Sequence, residues 1–525
     1  MNAQQAFDYI IVGAGSAGCV LAARLSEDPD IRVALLEAGG QDDAPEISMP
    51  VAFPALFKTQ YDWDFSTEPE QRLAGRRIYL PRGKTLGGSS SINAMIYIRG
   101  NPADFDGWAQ QEAAPGWSYR EMLPYFIRSE NNERGSSRYH GGAGPLAVQD
   151  GRSMHPLVDH LIEAGVRAGH SPNDDFNGAS QLGAGRFQLN QRNGVRCSTA
   201  SAYLHPARER KNLHVFTDSL VQKLQFQGLR ATGVSIHRHG EDKTLTAEKE
   251  IILSAGAYAS PQILMLSGIG PADELAPFGI SAIVDLPVGS NLQDHLLLPI
   301  SYLTDERSLF GAGSPDDIAL YQQGSGPLTS NVAEGGVFLS TSGDTRVPDC
   351  QLEMGPTMFR DEGLSAPFDH AYVTTVTMLK PTSRGKVSLR SARPDAKPRI
   401  HHNYLATEDD RTTMIRGVRR AMELLGQASL SRLRRAPFSV PESDADGDIT
   451  KFIEQRIGTD FHPTSSCAIG RVVDANLRVL GTEGLRVVDA SVMPSIVRGN
   501  TNATVIAIAE KAADIVLGKP AAAAA

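Results

Sequence analysis

The chain has 525 residues, of which 41% are hydrophobic and 21% charged, and its formal net charge is −9. This balance is typical of a globular protein with room for two or more packed cores, and the negative charge disfavours nucleic acid or an anionic membrane as the main partner. Four cysteines lie far apart with no C-x-x-C pair: Cys19, Cys197, Cys350 and Cys467. This usage argues against a zinc site or a disulfide scaffold, so we expect no metal and a reducing cytoplasm.

The first forty residues contain the clearest local pattern. "DYIIVGAGSAGCVLAARLSEDPDIRVALLEAGG" predicts an apolar strand, a glycine turn, a helix and a second apolar strand that ends at Glu37. No basic region followed by an apolar stretch and a cleavage site precedes it. We therefore expect a protein that is not exported and is cytoplasmic.

The three glycines of this unit, Gly13, Gly15 and Gly18, have the spacing G-x-G-x-x-G. Gly13 would permit a tight turn, Gly15 would let a pyrophosphate approach the backbone, and Gly18 would let helix and strand pack closely. The helix that starts there offers free N–H groups to phosphates, and Glu37 would accept hydrogen bonds from the ribose. The unit predicts a dinucleotide site, with NAD and FAD both open at this stage.

A glycine and serine loop follows within residues 82–106, which read "GKTLGGSSSINAMIYIRGNPADFD" from Gly83. The "GKT" is not a nucleotide-triphosphate loop, because Ile78 stands where that motif needs glycine. Gly87, Gly88 and the serines after them instead indicate backbone pressed against a flat ligand, with a flexible linker as the alternative.

The remaining chain alternates between two patterns. "WSYREMLPYFIRSE" predicts an amphipathic helix, and residues 194–290 return to strand and helix alternation. Residues 300–450 read as strands of an antiparallel sheet with helices between them. Near the end, "ATVIAIAEKAADIVL" predicts a helix stopped by Gly518 and Pro520; its charged residues exclude a membrane span.

Five spaced stretches of this chain resemble the glucose–methanol–choline (GMC) oxidoreductases. They are the opening glycine unit, the loop from Gly83, "GAYASPQILMLSGIG" at 256–270, "FHPTSSCAIG" at 461–470, and "VVDASVMP" with "GNTNAT" at 487–504. "GPLTSNVAEGGVF" and "KPTSRGKVSLRS" are similar to the bacterial choline-dehydrogenase-like branch. The resemblance implies that the dinucleotide is FAD.

The resemblance implies an α/β fold, α+β overall, in which a Rossmann-like FAD-binding domain is interleaved with a mainly antiparallel-sheet substrate domain carrying helices. We expect the FAD-binding domain in residues 1–155, 194–300 and 461–520. The substrate domain would take residues 156–193 as an insertion and 301–460 as its main part, and 521–525 would be a disordered tail.

Alcohol oxidation by hydride transfer needs a base for the hydroxyl proton and a donor for the developing alkoxide. By resemblance, His462 is the base and Asn500 the donor; capping of the last helix is the alternative role for Asn500 and Asn502. A Ser-His-Asp hydrolase has little support, since no G-x-S-x-G elbow is present. The residues expected to bind FAD are Gly13, Gly15, Ser16, Ala17, Gly18, Glu37, Ala38, Gly88, Ser91, Asn93, Ala94, Met95, Val221, Ala255, Asp489, Ala490, Asn502 and Thr504.

Some relatives bind FAD covalently through a histidine at the position of Ile92, so non-covalent FAD is expected here. Glu334 matches a glutamate that pairs with the ammonium in choline-using relatives, with a structural role as the alternative. Val332 and Ala333 stand where those relatives resemble "NHFE", so the aromatic neighbour of an ammonium is missing and a primary alcohol other than choline, aliphatic or aryl, is favoured. Phe461 would line an apolar pocket, with simple packing as the alternative. A hydroxynitrile-lyase-like enzyme and a non-catalytic flavoprotein are the other hypotheses, and the electron acceptor (oxygen, a quinone or a redox protein) stays open.

Overall fold

The computed structural model describes residues 6–522, which fold around two large sheets. The predicted disordered tail, 521–525, lies outside the described residues from 523 on. Within the described range no helix combines the length and the apolar character needed to cross a membrane.

The first sheet is the Rossmann-like one and has seven strands within residues 6–522. Its parallel part has the order Leu213–Phe216, Val33–Leu36, Ala6–Val12, Glu241–Leu253 and Leu485–Val487. Glu241–Leu253 also pairs antiparallel with Arg230–Arg238, which in turn pairs antiparallel with Ser219–Gln227. Three of these parallel strands, Ala6–Val12, Val33–Leu36 and Leu485–Val487, are almost continuously buried, as expected of strands covered on both faces. The edge strand Leu213–Phe216 and the first part of Glu241–Leu253 are more exposed.

The second sheet is antiparallel throughout, as the sequence pattern predicts. Its order is Ala436–Ser439, Leu296–Leu303, Ala371–Met378, Cys350–Gly355, Gly335–Leu339 and Gly183–Arg186, with Gly458–Thr459 added to Leu296–Leu303. The short strands elsewhere are Phe65–Ser66, Tyr79–Leu80, Glu130–Asn132, Leu146–Asp150, Gln188–Leu189, Gln191–Arg192, Val195–Arg196, Ser290–Leu292, Gly385–Ser388 and Arg399–His401.

The helices cover both sheets. The α-helices are Ser16–Leu25, Pro45–Ser48, Pro102–Gln111, Tyr119–Ser129, Pro156–Arg167, His205–Ala207, Gly256–Leu266, Ala272–Leu275, Pro315–Gln322, Glu408–Leu425, Ala428–Ser431, Asp446–Arg456 and Asn502–Leu517. Asn502–Leu517 is buried along most of its length, packs on Ser16–Leu25 and ends at Gly518 in the left-handed conformation, the predicted stop.

Two predicted domain boundaries need correction. The strand Leu296–Leu303 runs through the boundary expected at residue 300, because its whole length pairs with Ala371–Met378. The hairpin Gly385–Ser388 and Arg399–His401 was assigned to the substrate domain, but Val387 and Ile400 pack into the core of the first sheet.

Candidate active site

A cavity of about 500 Å³ is lined by residues of both sheets. It begins at the glycine turn after Ala6–Val12 and reaches the loop that carries His462. The predicted residues that line it are Gly13, Gly15, Ser16, Ala17, Glu37, Ala38, Gly88, Asn93, Ala94, Met95, Val221, Ala255, Phe461, His462, Asp489, Ala490, Asn500 and Asn502. Four predicted residues do not line it: Gly18, Ser91, Glu334 and Thr504.

The glycine turn has the close packing that the sequence predicts. Gly13 has φ +99°, and a Cβ there would lie 2.5 Å from the carbonyl oxygen of Ser254. A Cβ on Gly18 would lie 1.8 Å from the carbonyl oxygen of Gly13, so Gly18 serves helix packing and not the cavity. Glu37 accepts the backbone N–H groups of Ala14 at 2.9 Å and Gly39 at 2.8 Å, and burial raises the pKa of its carboxyl to about 7.

The loop after Gly83 touches the glycine turn directly. Gly88 has φ +52°, and a Cβ there would lie 2.7 Å from Cα of Gly15. Oδ1 of Asn93 accepts a hydrogen bond from Arg196 at 2.8 Å; Arg196 is buried, which lowers its pKa to about 9. The sequence analysis missed Arg196, since nothing in its local pattern connects it to this loop.

Ser91 and Thr504 were expected at the cofactor but are turned into the protein. Their hydroxyls donate to backbone carbonyl oxygens, Ser91 to Leu86 at 2.7 Å and Thr504 to Arg99 at 2.9 Å. Both side chains are fully buried, and neither residue lines the cavity. Ser89 lines the cavity in place of Ser91.

Asp489 and Asn502 differ in how far they match the prediction. The Asp489 carboxylate accepts from the backbone N–H of Gly256 at 2.9 Å and from Ser260 at 2.5 Å, so it links neighbouring loops while the residue lines the cavity. Oδ1 of Asn502 accepts from the hydroxyl of Ser16 at 2.7 Å, and Asn502 makes no cap to its own helix. The capping alternative therefore does not describe Asn502.

His462 and Asn500 meet at the far end of the cavity. Nδ2 of Asn500 lies 3.4 Å from Nε2 of His462, and Oδ1 of Asn500 is buried without a partner. The preceding residue, Phe461, has φ +63°, and its carbonyl oxygen accepts from Arg82 at 2.6 Å. Oδ1 of Asp294 accepts the backbone N–H of His462 at 2.7 Å. Arg82 and Asp294 thus fix the loop that presents the imidazole.

The electrostatics of this end favour neutral groups. Burial, with His295 and Arg82 nearby, lowers the pKa of His462 well below its usual value. Burial, with Glu353 and Asp294 nearby, raises the pKa of Asp460 well above its usual range. Burial also raises the pKa of Glu353 to about 7. An imidazole that is neutral at pH 7 is the state a base requires.

His295 was not identified from the sequence, although it belongs to the site. Its Nδ1 lies 3.0 Å from Nδ1 of His462. Within residues 6–522, His295, Asp460 and His462 are the acidic and histidine side chains close enough to share a metal ion, with ligand atoms within 4.8 Å of one another. We interpret the contact as a hydrogen bond, because one proton between the two nitrogens accounts for their separation.

Glu334, which was expected to contact the substrate, does not line the cavity. Its carboxylate accepts from the backbone N–H of His155 at 2.9 Å and from Ser330 at 2.6 Å, and it pairs with Arg186 at 3.2 Å. It is therefore a structural carboxylate, the alternative left open by the sequence. Glu353, on the strand Cys350–Gly355, is the carboxylate that lines the cavity near Asn500.

Part of the cavity wall near His462 is apolar. Phe461 packs edge-on against Phe57, with ring centroids 6.1 Å apart. The other apolar residues of this wall are Phe53, Leu297, Phe359 and Val373. A flat or aliphatic group suits such surroundings.

The residues present fit an FAD molecule. The helix Ser16–Leu25 begins at Gly15 with no side-chain cap and no acidic residue in its first turn, so its first N–H groups are available to a pyrophosphate. The absence of a Cβ at Gly88 keeps the space beside Gly15 open, and at Gly13 it lets the turn pack against Ser254. Ile92 lines the cavity and has no nucleophilic atom, so it offers no covalent link.

Comparison with known proteins identifies relatives along almost the whole chain. Two family models described as GMC oxidoreductase match residues 7–297 and 381–509. An alcohol dehydrogenase [acceptor] of Pseudomonas putida is 42% identical and covers 98% of this chain and 96% of its own length. The mitochondrial choline dehydrogenase of Homo sapiens is also 42% identical and covers 98% of this chain and 90% of its own length. The crystal structure of pyridoxine 4-oxidase from Mesorbium loti is 34% identical, covering 97% of this chain and 98% of its own, with a TM-score of 0.89.

Proposed function

The chain belongs to the GMC oxidoreductase family, and on that premise we infer that it is an FAD-dependent enzyme that oxidises an alcohol, acting on CH–OH donors. We propose His462 as the base and Asn500 as the donor to the developing alkoxide. The observation that carries both roles is the 3.4 Å approach of Asn500 Nδ2 to His462 Nε2 at the cavity wall.

The chain's residues act on the hydroxyl group of the reacting carbinol. The hydroxyl proton moves to Nε2 of His462, which is neutral because burial lowers its pKa. The N–H of Asn500 donates to the oxygen as negative charge develops on it. The C–H bond then breaks with its electron pair, and a primary alcohol leaves as the aldehyde. Bound FAD supplies the two-electron acceptor for that hydride.

The residues that would hold FAD follow from the cavity. Gly13, Gly15 and the N-terminus of the helix Ser16–Leu25 would face the pyrophosphate, and Glu37 the ribose. Asn93 and Ile92 would border the flavin. We propose that FAD is non-covalent: acid precipitation should leave a colourless pellet and a yellow supernatant, and a yellow pellet would refute this.

For the substrate we propose a primary alcohol with an aliphatic or aryl group, supported by the apolar wall around Phe461 and Phe57. Choline or another cationic alcohol is the second candidate. It is favoured by Glu353, whose hydrogen bonds come from uncharged groups, Gln351 at 3.2 Å and Thr375 at 3.4 Å. Relatives named choline dehydrogenase agree with this candidate. The relatives described above give no support to a lyase.

A cytoplasmic location is also a proposal. It is supported by the four cysteines, all of which are buried and unpaired.

The test is an anaerobic absorbance titration with a panel of alcohols that includes benzyl alcohol, simple aliphatic alcohols and choline. Bleaching of the flavin band by one compound would establish the oxidation and the substrate class, and readmitting air would show whether oxygen is the acceptor. His462→Ala should retain FAD but reduce it about 10²–10⁴-fold more slowly. A normal rate in that variant would refute the base assignment.

A further inference from the structure

The position of His295 follows from the pairing of two strands. Leu296, the first residue of one strand, pairs with Thr459, the last residue of the other. His295, directly before Leu296, is therefore a neighbour of the loop that follows Thr459 and carries His462. The backbone N–H of Asp460 donates to the carbonyl oxygen of His295 at 2.9 Å. The two imidazoles of His295 and His462 consequently meet edge to face, with ring centroids 5.2 Å apart.

The hydrogen bonds of His295 determine which of its nitrogens carries the proton. Its Nε2 lies 3.0 Å from the carbonyl oxygen of Leu379. A carbonyl oxygen can only accept, so Nε2 of His295 carries a hydrogen. The ring is fully buried, which lowers its pKa to about 4, and the neutral ring has a bare lone pair on Nδ1.

This lone pair determines the tautomer of His462 in turn. The two Nδ1 atoms are 3.0 Å apart, and since that of His295 accepts, that of His462 must donate. Nε2 of His462 is then left without a hydrogen, on the side of the ring that faces Asn500. The base needs this nitrogen bare, because the hydroxyl proton of the substrate must move to it.

We propose that His295 is a positioning residue that holds His462 in the Nδ1–H tautomer through the chain Leu379 carbonyl, His295, His462. The proposal rests on the proposed role of His462 as base. In this proposal His295 contacts neither substrate nor cofactor. It acts only by disfavouring the tautomer of His462 in which Nε2 carries the hydrogen.

Asp460 is the other group that could orient the imidazole. Its Oδ2 lies 3.3 Å from Nδ1 of His462 but makes no hydrogen bond. Burial raises the pKa of this carboxyl well above its usual range, and a neutral carboxyl is a weaker acceptor than a carboxylate. The other charged groups that influence the two rings are Arg82, Lys380 and Asp104. They act through charge and offer Nδ1 of His462 no acceptor.

The test compares His295→Leu with His295→Asn in the FAD-loaded protein. Leucine removes the acceptor while filling similar space, whereas the amide oxygen of asparagine can take the place of Nδ1. His295→Leu should lower the limiting rate of flavin reduction at least about tenfold, part of the 10²–10⁴-fold that a positioned base contributes. Its FAD content and its dissociation constant for the alcohol should stay as in the wild type, and His295→Asn should recover most of the rate.

A second readout follows the tautomer itself. With ¹⁵N-labelled histidine in the FAD-loaded protein, the ring nitrogens of His462, assigned with His462→Gln, should show a proton on Nδ1 and none on Nε2. In His295→Leu the proton should redistribute toward Nε2. An unchanged spectrum and rate in His295→Leu, or an equal loss in both variants, would overturn the proposal. The same effects in Asp460→Asn alone would assign the role to Asp460.

The two proposals can fail separately. A normal rate of flavin reduction in His462→Ala would remove the base and with it the premise for His295. Loss of activity in His462→Ala combined with full activity in His295→Leu would leave the base in place and refute only the role of His295.

Discussion

Oδ1 of Asp294 accepts the backbone N–H of His462 at 2.7 Å, and Oδ2 of the same carboxylate accepts the hydroxyls of Thr459 at 2.5 Å and Tyr404 at 2.7 Å. One buried side chain therefore connects three segments around the base. The loop needs such support, because Phe461 holds a left-handed backbone conformation that costs ~1–2 kcal/mol for a residue other than glycine.

Replacing Asp294 with alanine should destabilise the protein and slow catalysis together. Three buried donors would lose their acceptor, and each unsatisfied group costs ~1–3 kcal/mol. We expect the free energy of unfolding, measured by urea titration, to fall by at least about 2 kcal/mol, and the rate of flavin reduction to fall as His462 loses its position. Asp294→Asn keeps one amide oxygen as acceptor, so its stability and its rate should lie between those of the wild type and of Asp294→Ala. Wild-type stability and rate in Asp294→Ala would contradict this role of Asp294.

The rate of flavin reduction should keep its full value at pH values where an ordinary histidine base would already fail. A base acts only when unprotonated, and an unperturbed histidine is half protonated at pH 6.5. Because burial lowers the pKa of His462 in the folded protein, the acid limb of kcat/KM for a neutral alcohol should lie well below that pH. A limb centred at or above 6.5 would show that the imidazole is not held in the environment described here.

The sequence predicts the parts of this site that lie in one continuous pattern. The glycine turn, Glu37 and the cavity-lining loop around Asn93 follow from local spacing, and the meeting of His462 with Asn500 follows from the family resemblance. His295 and Asp294 could not be identified in the same way, because they stand beside His462 only through the pairing of Leu296–Leu303 with Gly458–Thr459. The sole local signal was a histidine directly before an apolar strand.

The predicted residues that do not line the cavity have a comparable physical explanation. Ser91 and Thr504 lie in segments that do line the cavity, but in a helical turn neighbouring side chains point in different directions. The hydroxyls of these two residues point inward, and each donates a hydrogen bond to a backbone carbonyl oxygen. Glu353 lies on the strand Cys350–Gly355, and Glu334 lies directly before the neighbouring strand Gly335–Leu339. Both strands are buried along their length, so alternation of polar and apolar residues did not distinguish the carboxylate that faces the cavity. Only the packed sheet makes that distinction.

Gly88→Ala should weaken FAD binding. A Cβ would lie 2.7 Å from Cα of Gly15, a contact between two backbones that no side-chain rotation relieves, and the residue has φ +52°. We expect the dissociation constant for FAD, measured by fluorescence titration of the apoprotein, to rise at least about tenfold, which corresponds to ~1.4 kcal/mol. Gly107→Ala is the matched control: it lies within the helix Pro102–Gln111, its Cβ meets nothing within 4 Å, and FAD binding should be unchanged.

Substitutions of Glu353 and of Glu334 should have different effects, the first on substrate recognition and the second on stability. Burial raises the pKa of Glu353 to about 7, so the side chain is protonated below that pH and ionised above it. If a cationic alcohol is the substrate, its KM should fall as the pH rises through about 7, and Glu353→Gln should abolish this dependence, while the KM of benzyl alcohol changes little in either case. Glu334→Gln should leave every KM unchanged and instead lower the free energy of unfolding by roughly 1–3 kcal/mol, because the buried pair with Arg186 loses its charge. If the KM for choline changed in Glu334→Gln and not in Glu353→Gln, the cation site would lie on the other side of the strand Gly335–Leu339. That result would contradict the cavity described here.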